Sequence, residues 1–146
     1  MRRPLVFAGI AMLLSVVGCS KPSTDIELID QLIPNEKEQM RSTRSEIDEM
    51  IDQMPGDPSK KATFRNRFIA LYQEQGVPII MAFAHKRFAE EFSSDELRSL
   101  VMFRQGSATE NSKNLSLANR YVMVCKEIGR KRGEIVLELS NKALAK

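Results

Sequence analysis

From Asp25 to the end of the chain, apolar residues recur at three- and four-residue intervals, the spacing of one helical face. Ile26, Ile29 and Ile33 mark a short first helix, with Thr24 at its N-cap and Pro34 at its end. A second helix is expected from about Glu36 to Met54, with Ile47, Met50, Ile51 and Met54 as its apolar stripe. Its first half carries Glu36, Lys37, Glu38, Arg41 and Arg44 and reads as solvated. Met54-Pro55-Gly56-Asp57 is a turn in which Gly56 takes the positive-φ position. Asp57 then caps a third helix with Pro58 in its first position. That helix buries Phe64, Phe68, Leu71 and Tyr72 and is expected to end at Gly76.

Pro78 is expected to start a fourth helix with Ile80, Met81, Ala84, Phe88 and Phe92 inward. Ser93 and Glu96 have capping-box spacing, and Phe92 can staple onto Leu97. Leu97, Leu100 and Val101 face inward on a fifth helix that stops at Gly106. A long final helix starts near a second capping pair, Ser107 and Glu110. Leu115, Ala118, Val122, Cys125, Ile128, Val136 and Leu139 are its expected seam, and Gly129 and Gly133 are expected to bend it or to admit a close neighbour. The alternating pattern of a strand is missing from the sequence. The fold expected is all-α, an antiparallel bundle of five to six helices after a lipoprotein signal peptide.

The start of the chain has a different character. Arg2 and Arg3 precede an apolar stretch from Leu5 to Val17, which is shorter than the roughly 20 residues of a membrane span. It ends in Val16-Val17-Gly18-Cys19, which resembles the bacterial lipobox: an aliphatic residue three before the cysteine and a small one just before it. The resemblance implies cleavage after Gly18 and lipidation of Cys19, with two acyl chains on glycerol and one on the new amino group. Each buried methylene contributes about 0.8 kcal/mol, so two or more chains anchor stably. Ser20, in place of Asp after the cysteine, favours the outer over the inner membrane, although Lys21 weakens that preference. Residues 1–18 thus read as signal, 19–24 as lipidated cysteine and short tether, and 25–146 as the helical domain. Five extended tether residues span at most about 18 Å, which keeps the domain close to the bilayer.

Charge changes little once the signal is set aside. Without Arg2 and Arg3, 20 basic side chains stand against 19 acidic ones, a formal charge of +1, which removes support for a nucleic-acid partner. Cys19 and Cys125 are the two cysteines, and lipid on the first leaves the second without a disulfide partner. The core must hold the fold unaided, and a chain of this length can bury one large enough.

Phe92-Ser93-Ser94-Asp95-Glu96-Leu97, followed by Leu100 and Phe103, resembles the central signature of the family called domain of unknown function 2059. Arg104 stands where that signature has Tyr, Gly106-Ser107 where it has Ser-Pro, and Thr109 where it has Gly. The resemblance runs from roughly Phe64 to Leu139. It implies a helical, exported protein and carries no catalytic residues with it.

Candidate chemistry is sparse. His85 is the single histidine and reads as a boundary residue. Cys125 lies on an apolar stripe, where a free thiol behaves as a small hydrophobe. Glu90 and Glu91 are adjacent and so point in different directions around a helix. Arg130, Lys131 and Arg132 form a basic run that reads as a solvated face, with anionic lipid headgroups as the functional alternative. No catalytic residue, cofactor or metal site is expected. The leading expectation is a membrane-tethered periplasmic binding or interaction module with an envelope protein as partner. An envelope-acting enzyme and a purely structural envelope protein are the alternatives. The contact surface expected for the binder is a groove between the fourth and final helices at Met81 and Phe83.

The lipobox makes a direct prediction. Cys19→Ala abolishes fatty-acid incorporation and leaves unprocessed precursor, as read by metabolic labelling and gel mobility. Label retained by the variant contradicts the assignment.

Overall fold

The computed structural model describes residues 24–106 and 112–145, which form helices and turns with no strand among them. The signal segment, Cys19, most of the tether and the Ser107–Glu110 pair lie outside the described residues.

Local capping chemistry sets the helix starts. Helix α1, Asp25–Leu32, opens on a reciprocal box: Thr24 N–H donates to Glu27 at 2.7 Å, and Glu27 N–H to the Thr24 hydroxyl at 3.3 Å. Helix α2, Glu36–Gln53, has the same arrangement between Asn35 and Glu38, both bonds at 3.0 Å. Gly56 takes φ +137°, and the Asp57 carboxylate then accepts from Ser59 and Lys60 N–H at the start of α3, Pro58–Leu71. Helix α5, Ser94–Arg104, starts on the Ser93–Glu96 box. The backbone N–H of Ser93 and then the Arg120 guanidinium hold the Glu96 carboxyl below its ordinary range. Gly106 closes α5 at φ +73°. The last helix, α6, spans Ser112–Leu144.

The expected break at Gly76 does not occur. Tyr72–Gly76 is a π-helical turn that joins α3 directly to α4, Val77–Glu91, with Gly76 at φ −67°. The Val77 N–H reaches back five residues to the Tyr72 carbonyl. Pro78 lacks an N–H, and its ring would strike the carbonyl four residues earlier in a regular helix. The wider π turn makes room for it without ending the rod. Gly76 serves closeness: a Cβ there would lie 2.7 Å from Tyr72 Cδ2 and 3.2 Å from Leu139 Cδ1.

The core has two clusters. One gathers Leu28, Ile29 and Leu32 of α1 with Phe88, Leu97, Leu100 and Val124. The other gathers Ile47 and Ile51 of α2 with Phe64, Phe68, Tyr72, Ile80, Ile135 and Leu139. Met81 and Ile128 pack against both. Phe68, Tyr72 and Phe88 are fully buried, each contributing roughly 1.5–3 kcal/mol of burial. Phe68 stacks on Tyr72 at 5.8 Å between ring centroids, and Phe88 meets Tyr121 at 5.9 Å. Polar clamps tie the ends together. Arg120 of α6 donates to Glu91 and Glu96 and lies 5.0 Å over the Phe92 ring. Arg104 and Tyr121 donate to the Gln31 and Leu32 carbonyls at the end of α1.

Three expected seams shift. In α1 the buried residues are Leu28, Ile29 and Leu32, while Ile26 faces solvent. In α2 the first half is not wholly solvated, since Gln39, Met40 and Thr43 are buried between the exposed charges; Met50 is exposed. In α6, Leu115 and Val122 are 66% and 47% exposed, and the seam runs through Val124, Ile135, Leu139 and Ala143 with half-buried Leu117, Tyr121, Cys125 and Ile128 beside it. Leu115 and Val122, seven residues or nearly two turns apart, share one face, and that face points away from the neighbouring helices. Gly129 and Gly133 are exposed, and a Cβ on either would meet nothing within 4 Å, so they admit no close neighbour among the described residues.

The glycines separate in a stability experiment. Gly76→Ala lowers stability by about 1–3 kcal/mol through overpacking against Tyr72. Gly129→Ala and Gly133→Ala each raise it by about 1 kcal/mol through helix propensity alone. Thermal unfolding of the three variants reads the contrast; a neutral Gly76→Ala contradicts the close packing.

Candidate ligand-binding cavity

A cavity of about 170 Å³ lies where α2, α4 and α6 meet. Helix α2 contributes Glu38, Gln39 and Ser42, and α4 contributes Ile80 and Ala84. Ile128 and Arg132 of α6 form the third wall, and Ile33 and Pro34 close the end beside the α1–α2 link. Residues four apart stack on one helix face, so Ile80 with Ala84, and Ile128 with Arg132, each present a continuous wall. The exposed Glu38 and Ser42 flank the mouth.

Gln39 is the unusual member of this lining, at 7% exposure. Its Nε2 donates to the Pro34 carbonyl at 2.9 Å and toward Met81 Sδ at 2.8 Å. Both of these groups are acceptors, which fixes the amide with its nitrogen toward them. The buried Oε1 then accepts no hydrogen bond among the described residues. A buried acceptor left unpaired costs about 1–3 kcal/mol.

Arg132 is committed to the protein. Its Nη2 donates to Thr43 Oγ1 at 2.9 Å and to Glu46 Oε2 at 2.8 Å, and its Nε to the Tyr72 hydroxyl at 3.3 Å. Burial opposes its charge, but Glu46 and Tyr72 outweigh that and raise its pKa further. This one guanidinium joins α6 to α2 and to the π turn. The expected basic run is therefore divided. Arg130 and Lys131 pair with Glu134 on the surface, while Arg132 is an internal tie.

The other candidates take ordinary places. Met81 is half-buried and packed against both core clusters. Phe83, also half-buried, sits two residues on, about 200° around the helix, and does not line the cavity. The structure thus does not bring Met81 and Phe83 together on one face. His85 Nε2 lies 3.0 Å from Asp30 Oδ1, joining α4 to α1. Burial raises the Cys125 thiol pKa and pushes the Tyr121 hydroxyl up to about 12. Glu90 pairs with Arg87, and Glu91 with Arg120. A larger depression of about 840 Å³ beside the start of α2 is open to solvent and walled largely by exposed groups of both signs, including Glu36, Lys37, Arg41 and Arg44. Among the described residues no three His, Cys, Asp or Glu side chains are grouped to hold a metal ion, and no helix is long and apolar enough to cross a membrane.

Sequence reasoning included Ile80, Ala84 and Ile128 among core positions but missed Gln39 and treated Arg132 as surface. A signal for Gln39 exists: Gln39, Thr43, Ile47 and Ile51 recur every four residues, so the buried face continues through two polar residues.

The tie at Arg132 is measurable. Arg132→Met strands two hydroxyls, on Thr43 at 1% and Tyr72 at 0% exposure, and lowers stability by about 3 kcal/mol in urea unfolding. Glu46→Gln, at an exposed carboxylate, costs less than about 1 kcal/mol. Equal losses for the two variants contradict this division of roles.

No family model matches the chain, and no curated protein and no solved structure is significantly similar to it.

Proposed function

We propose that this chain is a lipid-anchored envelope protein whose helical domain works by binding rather than by turnover. The observation that carries the binding reading is the cavity between α2, α4 and α6, walled by Ile33, Pro34, Ile80, Ala84 and Ile128 together with the polar Glu38, Gln39, Ser42 and Arg132. Ligand sites have this character: an apolar wall with a few fixed polar groups that orient the occupant. The helices around it form an antiparallel bundle in this proposal, with α6 lying along the continuous α3–α4 rod.

The anchor belongs to the same proposal. The lipobox-like Val16-Val17-Gly18-Cys19 supports a lipidated Cys19 at the periplasmic face, with the outer membrane favoured by Ser20. Thr24, which caps α1, follows Cys19 by five residues, so the binding domain would work within a short reach of the bilayer. Membership in the domain of unknown function 2059 family remains part of the proposal, supported by the Phe92–Leu97 segment and by an all-helical fold.

The test is a comparison of native protein with an occluded variant. Full-length protein and its Ala84→Leu variant are purified in parallel from envelopes and extracted with organic solvent. Mass spectrometry is expected to find a small molecule that leaves with the native protein and is at least tenfold depleted from the folded variant. Identical extracts overturn the binding reading.

A further inference from the structure

Helix α6 has two apolar faces. The inner one runs through Val124, Ile135, Leu139 and Ala143 into the core. On the outer one, Leu115, Val122, Leu137 and Leu144 are 66%, 47%, 65% and 60% exposed. These four share a face because the steps between them are close to whole helical turns. They stand in line over about 44 Å of helix, an unpartnered face rather than scattered exposure. The face is also its own reverse. Counted outward from the midpoint between Gly129 and Arg130, Val122 on one side answers Leu137 on the other, and Leu115 answers Leu144, each at equal distance. The polar Asn119 answers the polar Ser140. Long answers short in the middle, where Lys126 corresponds to Gly133 and Arg130 to Gly129. A two-fold contact between identical chains has this requirement, since residue i of one copy meets residue j of the other while j meets i. A different protein laid along α6 imposes no such symmetry on it.

We infer that the outer face of α6 is a homodimer contact, on which a second copy of this chain lays its own α6 antiparallel about a two-fold axis between Gly129 and Arg130. The inference stands apart from the cavity and the lipid anchor. In the pair, Leu115 packs on Leu144 of the second copy and Val122 on its Leu137. Near the axis the bare backbone at Gly129 and Gly133 admits the aliphatic stems of Arg130 and Lys126 from the second copy. That gives a use to two exposed glycines that meet no neighbour within the chain. Charges are matched in the same register. Lys126 of the second copy falls opposite Gly133 and beside the exposed Glu134. The two Arg130 side chains come close at the axis, and each is held by its own Glu134 at 2.9 Å, which offsets their repulsion. A strip about 44 Å long and about 10 Å wide on each copy covers on the order of 1,000 Å² in the pair, the threshold for a specific interface. The dimer is therefore a reversible one.

Sedimentation and cysteine cross-linking of the full-length protein in detergent test the surface and its register. The native protein is expected to pass from monomer to dimer between about 1 and 300 µM, as suits an interface of this size. Val122→Glu, and independently Leu137→Glu, are expected to weaken association at least tenfold while circular dichroism stays helical, since both positions are exposed. Register is read with a short bis-maleimide, taking the native protein, with Cys19 and Cys125, as background. Arg130→Cys, next to the axis, is expected to link to itself. Leu115→Cys is not, since its counterpart stands about 44 Å away along the pair, but it is expected to link to Leu144→Cys when the two are mixed. A native protein that stays monomeric over the whole range overturns the inference. So does association that neither glutamate variant weakens, or Leu115→Cys linking to itself as readily as Arg130→Cys. A pure monomer whose Arg130→Cys links to a different protein in whole envelopes assigns the face to another partner and overturns it too. If a glutamate variant fails to fold, the cross-linking pattern decides.

Discussion

A helix can bury only one seam at a time, and here one helix must serve two cores. The cluster around Phe88 takes Val124 from α6, and the cluster around Tyr72 takes Ile135 and Leu139 from it. Both clusters also take residues from α4, and Met81 and Ile128 touch each. The packing of α6 along α4 and the turns before it is therefore the constraint on which the rest depends. It requires the segment from Pro58 to Glu91 to run on without a loop, which is what the π turn allows. It also requires close approach at Gly76, where Tyr72 and Leu139 leave no room for a side chain.

Polar chemistry secures this packing at positions that apolar contacts do not specify. Hydrophobic burial is indifferent to small rotations of α6, because its energy depends on area removed from water. Directional bonds are not indifferent. Arg120 holds one end of α6 to the α4–α5 corner through Glu91 and Glu96, and Arg132 holds the middle to α2 and the π turn. Between these two ties lies Ile128, one wall of the cavity. The cavity thus sits between two polar ties of α6.

Much of the local structure was legible in the chain before any tertiary contact was known. Thr24, Asp57 with Pro58, and Ser93 with Glu96 mark helix starts because capping is completed within one turn and depends on nothing farther away. Gly56 and Gly106 mark turns for the same reason, each adopting the positive φ that favours glycine. The all-helical character followed from periodicity. Most of the inward residues of α3, α4 and α5 were also visible, because Phe64, Phe68, Phe88 and Leu97 are large and apolar enough to declare a face.

Tertiary structure decided what local rules treat as an average. Glycine and proline usually end helices, yet Gly76 and Pro78 stand inside one. The gain from packing Tyr72 and Val77 into the second cluster exceeds the penalty of a widened turn. The seam of α6 was misplaced by the sequence pattern because Leu115 and Val122 are apolar but face away from the helices that α6 must meet. Gln39 and Arg132 were hidden for the opposite reason, being polar residues whose hydrogen-bond partners come from other turns and other helices. The cavity itself has no signature in sequence. Ile80, Ala84 and Ile128 read as core, and only the distances at which α2, α4 and α6 are held determine that their side chains fall short of filling the space between them.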